Sequence, residues 1–540
     1  TVNQGLFFLS SSQQTSAQKA PFPSETVRAI QFDSKGNLWL GADTKLYFIS
    51  PAEQKEFKNF TLHQASTSIE DMECISIDSF HRLWVGTNFG LYCWEDISEP
   101  IRVLENKPQL FLPKDDNPNS INSGRVHQVY EDANHILWLA ASAGGLNKVD
   151  LKRKPFENLQ RRFFQTPTLP NNYVNAVLKD PQHNWLWIGT RNGFSKYDFD
   201  TKSYTNYANR ELNGDATGTD VSTLLMDTKR TLWVGTRYNG LYVLQNGALK
   251  KINLPIPSTS IESIIETSDG FIWIATFEYG ILKLDKAGKV LNIYSTNNHN
   301  LVARQFTHLL YDKTKEQIWA STRDMGVLLF QIQTTGLKLL QKFSFEENNP
   351  NSLSVNFAWQ KVQDISGAIW VGTIGGGLNK IEPLKNGKYL VRRINIPESN
   401  VEGILQDKQG NIWIGGSGLG RYSPKSGQWI HYDVADGIQS NSFKVGAAYQ
   451  DASGILYLGG IKGVTYFNPE KIQPSLQAPT VRFTNLKIFN QTVQIGEEIN
   501  HRVILPAPFN QLDELEIHAN ENDFSIEFVG LNFANPAKTS

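Results

Sequence analysis

One short pattern with a tryptophan at its centre recurs along the whole sequence, and this repetition constrains the fold more than any other feature. The copies around Trp233 and Trp370 read RTLWVGTRYNGLYVL and GAIWVGTIGGGLNKI. The repeated aromatic positions, spaced 40 to 54 residues apart, are Trp39, Trp84, Trp138, Trp187, Trp233, Trp273, Trp319, Trp370, Trp413 and Tyr457. A partial copy opens the chain, because Thr1–Leu9 aligns with Thr236–Leu244. The pattern therefore indicates ten full copies and one partial copy of a single structural unit.

Each copy predicts four antiparallel strands. An alternating apolar run such as Val221–Asp227 predicts the first strand. An Asp-x-x-Gly hairpin such as Asp364–Gly367 follows, since Asp bonds to its own backbone two residues on and Gly accepts positive φ. The Trp strand, a second turn, a Gly-Leu-x-x-Leu strand and a variable stretch such as Lys202–Tyr207 complete the unit. Four strands in about 45 residues are typical of a β-propeller blade, so the fold class is all-β.

The number of copies suggests how the blades are grouped. Propellers usually contain roughly four to eight blades, so eleven in one ring is disfavoured. We expect one complete seven-bladed β-propeller over residues 160–475, preceded by about four blades of another over 1–159, with a linker near Leu151–Arg162. Residues 476–540 lack the Trp motif and predict the start of an Ig-like β-sandwich. Because the first copy and the sandwich are both incomplete, we expect a piece of a longer polypeptide, truncated at both ends.

The repeated aromatic residue is best interpreted as core. In Leu-Trp-Val-Gly the Trp side chain points away from Leu and Val, so both faces of the strand are apolar and need cover. One buried Trp hides ~150–250 Å², worth roughly 4–6 kcal/mol as an upper estimate. We expect all ten aligned aromatic residues to be buried, and the Gly after Val to let neighbouring strands approach closely.

Composition excludes several function classes. The formal net charge is −1, which argues against nucleic-acid binding. No apolar run approaches the ~18 residues that span a bilayer. The two cysteines, Cys74 and Cys93, could pair but are better interpreted as free thiols, and neither they nor the scattered histidines have metal-site spacing. Acidic pairs such as Asp115-Asp116 and Glu346-Glu347 fit solvated loops. We therefore predict no metal, no cofactor and no catalytic residues.

The chain resembles a known family, the two-component regulator propeller sensors. The resemblance is carried by the repeated Asp-x-x-Gly-x-Ile/Leu-Trp-Val/Ile-Gly-Thr-x-x-Gly-Leu pattern and by the lead-in Asn117–Ile121, repeated as Asn349–Leu353. The tail NENDFSIEFVGLNFANPAKTS is similar to the start of the Y-Y-Y domain that follows the propellers in this family. The resemblance extends over essentially the whole chain.

This resemblance implies the sensing half of a membrane receptor. Family members have fourteen repeats in two seven-bladed rings, a Y-Y-Y sandwich, a transmembrane helix and a cytoplasmic output module such as a histidine kinase or a diguanylate cyclase. The sensing half is periplasmic, in an inner-membrane protein. In the carbohydrate-sensing branch it binds oligosaccharides, and homodimers relay the signal. For this chain the resemblance implies an oligosaccharide partner, and contact with the membrane only through a segment beyond it.

The candidate ligand-binding residues lie in the turn that follows Gly-Thr in the complete ring. Because adjacent strands alternate direction, this turn shares a face with the blade-to-blade connections. Arg and Asn offer planar donors and Tyr a stacking surface, which suit sugars, above all those bearing carboxylates or sulfates. The candidates are Arg191, Asn192, Arg237, Tyr238, Asn239, Glu278, Tyr279, Arg323 and Asp324. The alternative is that these polar turn residues only face water.

Three functions remain open from the residues alone. The favoured one is an extracytoplasmic ligand-sensing region of a transmembrane two-component receptor. The second is a propeller-type glycan lyase or glycosidase, which would need acid and base groups converging on one ring mouth. The third is a protein-interaction scaffold. Product formation from oligosaccharides would indicate the enzyme, and saturable binding without turnover would indicate the sensor.

Overall fold

The computed structural model describes residues 4–9, 17–24, 26–55, 62–114, 120–152, 154–161, 167–207, 219–257, 259–297, 301–472, 480–499 and 501–531. Two compact units are present: Thr1–Arg153 together with Ser475–Ser540, and Lys154–Pro474. Some of the sequence interpretation lies outside the described residues, namely Thr1–Asn3 of the partial copy, Asp115 and Asp116, Asn117–Asn119 of the lead-in, and the end of the tail from residue 532.

The first unit begins with sheets built from consecutive strands. In chain order its elements up to residue 153 are β1 (Phe7–Phe8), β2 (Gln18–Lys19), β3 (Val27–Phe32), β4 (Leu38–Ala42), β5 (Lys45–Ile49), α1 (Pro51–Gln54), β6 (His63–Gln64), β7 (Met72–Ile77), β8 (Leu83–Thr87), β9 (Leu91–Trp94), α2 (Pro100–Glu105), β10 (Gln109–Phe111), β11 (Val126–Glu131), β12 (Ile136–Ala141) and β13 (Gly145–Asp150). The antiparallel sheets are β1-β2, β3-β4-β5-β6, β7-β8-β9-β10 and β11-β12-β13.

One aligned tryptophan departs from the expectation that all ten aromatic residues are core. Trp138 in β12 is only half-buried, whereas the other nine aligned residues are buried. Its sheet has three strands among the described residues, and the side chains of Tyr130 and Leu146 on β11 and β13 are exposed. Trp138 is therefore half-buried because its sheet is incompletely covered there.

The second unit contains seven four-stranded sheets. Its strands are β14 (Glu157–Leu159), β15 (Val174–Lys179), β16 (Trp185–Thr190), β17 (Gly193–Asp198), β18 (Ser203–Tyr207), β19 (Val221–Met226), β20 (Leu232–Thr236), β21 (Leu241–Gln245), β22 (Ala248–Ile252), β23 (Ile261–Glu266), β24 (Ile272–Thr276), β25 (Ile281–Leu284), β26 (Val290–Tyr294), β27 (Phe306–Asp312), β28 (Gln317–Thr322), β29 (Val327–Gln333), β30 (Gly336–Phe343), β31 (Ala358–Gln363), β32 (Ile369–Thr373), β33 (Gly377–Pro383), β34 (Tyr389–Ile394), β35 (Gly403–Gln406), β36 (Ile412–Gly416), β37 (Gly418–Tyr422), β38 (Trp429–Tyr432), β39 (Phe443–Gln450), β40 (Leu456–Gly460) and β41 (Gly463–Phe467). Short 3-10 helices lie at Val434–Asp436 and Pro469–Lys471.

Six of these sheets use four consecutive strands, from β15-β16-β17-β18 to β35-β36-β37-β38. The seventh, β14-β41-β40-β39, takes its outer strand from the start of the unit and the other three from its end. Within it Leu159 pairs with Val464, and Asn158 Oδ1 accepts a hydrogen bond from Thr465 Oγ1 at 2.8 Å. The first strand of each sheet packs against the first strand of the next, and β15 packs against β39. The sheets therefore close into a ring, and the predicted all-β propeller fold is confirmed.

A hydrogen bond joins the hairpin Asp to the Trp of the same blade. In seven blades an Asp Oδ2 accepts the indole N–H at 2.8 to 3.4 Å. In the blade of Trp273 the hydroxyl of Thr267 accepts it instead, and in the last blade Tyr457 donates its hydroxyl to Asp451. The hairpin and the core are thus tied by one side chain, a link that sequence reasoning did not predict.

The repeated Gly after Val is required for close packing between blades, as expected. A Cβ on Gly235 would lie 2.5 Å from Thr223 Cγ2 in its own sheet and 2.8 Å from Ile261 Cγ2 in the next sheet. Real side chains do not approach so closely, so only glycine lets the sheets meet at this distance.

Residues 480–531 form a small separate β-structure within the first unit. Its strands are β42 (Thr480–Ile488), β43 (Gln491–Thr492), β44 (Glu498–Ile499), β45 (Arg502–Val503) and β46 (Phe524–Leu531), with 3-10 helices at Phe509–Gln511 and Ala519–Glu521. β42 pairs with both β43 and β46, and Leu486 and Ile488 pack with Val493, Ile504 and Leu505. The assignment of this segment to a Y-Y-Y sandwich stays a prediction.

Candidate binding pocket

The turn after Gly-Thr has the same hydrogen-bond geometry in several blades. Thr236 Oγ1 donates to the carbonyl of Gly240 at 2.7 Å and accepts from the backbone N–H of Asn239 at 3.0 Å. Gly240 has φ +86°, which glycine adopts without strain. The same two hydrogen bonds occur at Thr276 and Thr322. The Thr and Gly of the motif therefore fix the turn that carries the candidate residues.

Each turn is also tied to the residue that precedes the first strand of its own blade. Arg237 N–H donates to Asp220 O at 2.9 Å, and Arg323 N–H donates to Gln305 O at 3.1 Å. Arg191 and Phe277 make the same bond to Tyr173 and Ser260. The predicted turn residues thus lie on the same face as the start of the first strand of each blade, which we call the inner strand. The side chains of the turns and of the starts of the inner strands meet there.

A pocket of about 480 Å³ opens on this face. Its lining residues are Arg237, Tyr238, Thr259, Ser260, Glu262, Phe277, Glu278, Arg323, Phe357 and Trp359. Four of the nine predicted site residues are brought together in it: Arg237, Tyr238, Glu278 and Arg323. The volume lies within the range of roughly 300–1,000 Å³ that is common for ligand sites.

Arg237 is paired with two carboxylates of low accessibility. Its guanidinium lies 3.5 Å from Asp220 Oδ2 and 3.8 Å from Glu262 Oε1. The Glu262 side chain is 4 % exposed and accepts a hydrogen bond from Ser260 Oγ. Burial raises the pKa of both Asp220 and Glu262, and the charge of Arg237 opposes this rise. The charge of Arg237 is therefore largely balanced by these two carboxylates.

Arg323 has a different environment. Its guanidinium carbon lies 5.7 Å from the centre of the Phe277 ring and 5.6 Å from that of Phe357. Both distances fit cation–π contact, although the side chain remains exposed. Tyr238, 72 % exposed, extends the aromatic surface at the rim. The pocket thus combines planar donors with aromatic faces.

The other five predicted residues do not line this pocket. The guanidinium of Arg191 stacks on Tyr173, 3.4 Å from the ring centre, and Lys444 Nζ lies 4.7 Å from the same ring. Asn192, Asn239 and Tyr279 use their backbone N–H groups to shape their turns, and Asp324 is exposed in the turn after Arg323.

Sequence reasoning missed the contribution of the inner strands to the pocket. Thr259, Ser260 and Glu262 come from the start of β23, and Phe357 and Trp359 from the start of β31. Aligning the repeats on the residue before each first strand would have indicated them, because that residue bonds to the turn.

Two further observations concern membranes and metals. Among the described residues no helix is both long enough and apolar enough to cross a bilayer. Within the same ranges, no group of three or more His, Cys, Asp or Glu side chains is placed to hold a metal ion.

The repeats match a described family. The model of the "Two component regulator propeller" repeat matches residues 21–44, 168–192, 255–278 and 395–418. These four segments belong to copies that the Trp pattern also identifies.

One curated protein and one crystal structure are similar to the chain over nearly its whole length. The curated protein "Histidine kinase P4" of Formosa agariphila is 23 % identical over 577 aligned residues, which cover 96 % of this chain and 41 % of that protein. The chain thus spans less than half the length of that relative. The crystal structure of the extracellular domain of the hybrid two component system BT3049 from B. thetaiotaomicron has a TM-score of 0.73 and is 23 % identical, covering 99 % of this chain and 68 % of that one. That domain shares the propeller fold. In four of its repeats, this chain is therefore similar to the two-component regulator propeller family.

Proposed function

We propose that this chain is the extracytoplasmic sensing region of a two-component signalling receptor, and that it binds an oligosaccharide in the pocket between Arg237 and Arg323. The observation that carries the proposal is the pairing of planar guanidinium groups with aromatic faces around one open cavity. Sugars present apolar C–H faces to aromatic rings and hydroxyl groups to planar donors, so this mixture suits them. The extracellular domain of BT3049, which shares the fold, supports the extracytoplasmic location.

Signal relay is the second part of the proposal. The relative named as a histidine kinase extends well beyond the region that this chain matches, which leaves room for an output module in a full-length receptor. The β-structure of residues 480–531 follows the propeller in the chain, and we assign it the relay role of a Y-Y-Y domain. The receptor is then an inner-membrane protein with this region in the periplasm, acting as a homodimer. Ligand can shift such a receptor only by binding one of its two states more tightly.

A glycosidase-type activity is the second candidate, because two carboxyl groups, Glu262 and Glu278, line the same pocket. Burial raises the pKa of Glu262, as a general acid requires. Against this, one Glu262 oxygen already accepts from Ser260 and lies near Arg237, so it is engaged inside the wall. We therefore favour binding without turnover.

Calorimetric titration with an oligosaccharide panel, combined with product analysis, tests the proposal. The double variant Arg237→Ala/Arg323→Ala should weaken binding by about tenfold or more, which corresponds to about 1.4 kcal/mol. Arg392→Ala is a suitable control, because Arg392 is an exposed residue of the outer strand β34 that pairs with Glu382. Binding that survives the double variant would remove the pocket from the proposal. Shortened products that disappear in Glu262→Gln would establish the enzyme instead, and no binding by any glycan would favour the scaffold.

A further inference from the structure

We propose that the pocket selects an acidic sugar unit and that Arg323 is the residue that binds its carboxylate or sulfate group. This inference rests on the proposed function, because it names the ligand class of the same pocket. It is carried by the contrast between the two arginines in the cavity wall.

The two arginines differ in how their charge is balanced. Arg237 lies within 4.0 Å of two carboxylates, those of Asp220 and Glu262. In the part of the chain that the structure describes, no carboxylate oxygen comes that close to the guanidinium of Arg323. Arg323 therefore supplies a cationic charge that the protein itself does not neutralise.

The surrounding residues hold Arg323 in a position from which it can bind an anion. Its backbone N–H is held by the carbonyl of Gln305, and the side chain lies between the rings of Phe277 and Phe357, which belong to the blades on either side. Aromatic rings interact with the guanidinium but offer it no strong acceptor, so its N–H groups remain available for a ligand. A planar guanidinium matches a carboxylate or sulfate with two parallel hydrogen bonds.

The rest of the cavity suits the uncharged part of a sugar. The hydroxyl of Thr259 has no hydrogen-bond partner among the described residues, although Thr259 is only 5 % exposed. Phe357 and Trp359 form an apolar wall beside it, and Trp359 is 8 % exposed. Thr259 therefore brings an unpaired hydroxyl group to the wall of the cavity, and such isolation is unfavourable in the free protein.

The test uses two pairs of matched probes on the whole chain. The first pair is tetragalacturonate and its fully methyl-esterified form, and the second is a sulfated carrageenan tetrasaccharide and its desulfated form. Within each pair the sugar backbone is the same and only the charge differs. The two pairs separate a carboxylate ligand from a sulfate ligand. Affinities are measured by titration calorimetry at low and at high salt.

We expect at least one acidic probe to bind about tenfold or more tightly than its neutral form. We also expect the affinity for this acidic probe to fall as the salt concentration rises. Arg323→Gln should abolish this preference without lowering the melting temperature, because no carboxylate loses its partner. Arg237→Gln should lower the melting temperature, because it leaves Asp220 and Glu262 unpaired. Arg392→Gln should change neither property.

Four outcomes overturn the inference. Equal binding of acidic and neutral forms, or a preference that survives Arg323→Gln, shows that Arg323 does not read charge. Binding of neutral probes alone overturns this inference but leaves the oligosaccharide-sensing proposal intact. If none of the four probes binds, both the acidic-ligand inference and the assignment of the pocket to sugars fail.

Discussion

At the scale of single residues, one carboxylate in each of seven blades has two structural tasks. Asp227 Oδ1 accepts the backbone N–H groups of Lys229 and Thr231, which closes the hairpin, while its Oδ2 accepts the indole N–H of Trp233 at 2.9 Å. Asp227 is buried, so neither oxygen can readily exchange its partner for water. The turn and the core of the blade are therefore stabilised together.

The blade of Trp319 lacks this link and supplies a matched comparison. Its indole N–H is buried with no acceptor among the described residues, because Asp312 Oδ2 accepts from Gln363 Nε2 instead. Trp233→Phe leaves a buried carboxylate oxygen unpaired, whereas Trp319→Phe loses ring volume only. We expect Trp233→Phe to lower the free energy of unfolding by about 1–3 kcal/mol more than Trp319→Phe. Urea titrations of the two variants measure the difference, and equal losses would contradict the role of the hydrogen bond.

Asp180 links stability to acid pH. Although burial by itself raises its pKa, hydrogen bonds from the backbone of Gln182 and His183 and from Arg230 lower the pKa of Asp180 to about 2. A depressed pKa stabilises the fold above the unfolded value near 4, and this contribution disappears as pH falls towards 2. The Asp180 side chain is 1 % exposed, so we expect this contribution to stability to be on the order of 2 kcal/mol.

We therefore expect Asp180→Asn to flatten the decline of the unfolding free energy between roughly pH 4 and pH 2. The exposed turn residue Asp324 provides the control, and Asp324→Asn should leave the curve unchanged. Chemical denaturation at stepped pH measures both. An unchanged slope in Asp180→Asn would show that other carboxylates dominate acid unfolding.

The residue scale also shows where sequence reasoning stopped. The aligned aromatic residue was correctly predicted as core in nine of the ten copies, and the Asp as a hairpin residue, but the hydrogen bond between Asp227 and Trp233 was missed. The sequence did contain a signal for this hydrogen bond, because in most copies the Trp lies six positions after the Asp. Periodicity reports which face of a strand is apolar, and it carries no information on the direction of an indole N–H.

At the scale of elements, the Gly at the end of the Trp strand sets how closely two sheets pack. Gly235→Ala would force its Cβ to within 2.5 Å of Thr223 and 2.8 Å of Ile261, and we expect a loss of about 2–3 kcal/mol. Gly403→Ala in β35 is the matched control, because its nearest neighbour is Ala448 Cβ at 3.3 Å. Thermal unfolding of both variants measures the effect. Gly235→Ala combined with Thr223→Ser should recover part of the loss, and no difference between the two glycine variants would refute the packing argument.

The pocket was predictable in part because the alternating direction of the strands determines which turns share a face. Strand alternation placed the turns of Arg237 and Arg323 on one face, and their side chains do meet in one cavity. The same reasoning treated Arg191 as equivalent, but Tyr173 at the start of its own blade stacks on it. The role of a turn residue thus depends on the side chain that precedes the first strand of its own blade or of the next one. The repeat pattern leaves that position variable.

At the scale of the whole molecule, the sheet that joins the start and the end of the second unit holds the ring closed. Phe156, just before β14, is 3 % exposed and packs 4.9 Å from Phe467 and 5.5 Å from Tyr432, measured between ring centres. Lys154 Nζ adds an ion pair to Asp436 at 2.5 Å. The ring is thus closed by side chains as well as by strand pairing.

We expect Phe156→Ala to lower the free energy of unfolding by about 3–5 kcal/mol and to expose the segment around β14 to trypsin. Lys152, Lys154 and Arg161 lie in or beside that segment and report its release in mass-mapped limited proteolysis. Phe80→Ala is the control, because Phe80 is an exposed residue of the first unit. If cleavage near β14 is no faster than in this control, closure does not depend on Phe156.

The closing sheet also determines when the ring can form during biosynthesis. Asn158 and Thr465, which bond to each other across it, are 307 residues apart in the chain. At ~5–20 residues per second a ribosome needs roughly 15 to 60 s to make that stretch. During this interval β14 has no partner strand, and the blades already made expose an unpaired edge of the kind that drives aggregation. The nascent protein therefore cannot close its ring before the strand β41 has been made, and its unpaired edge stays exposed until then.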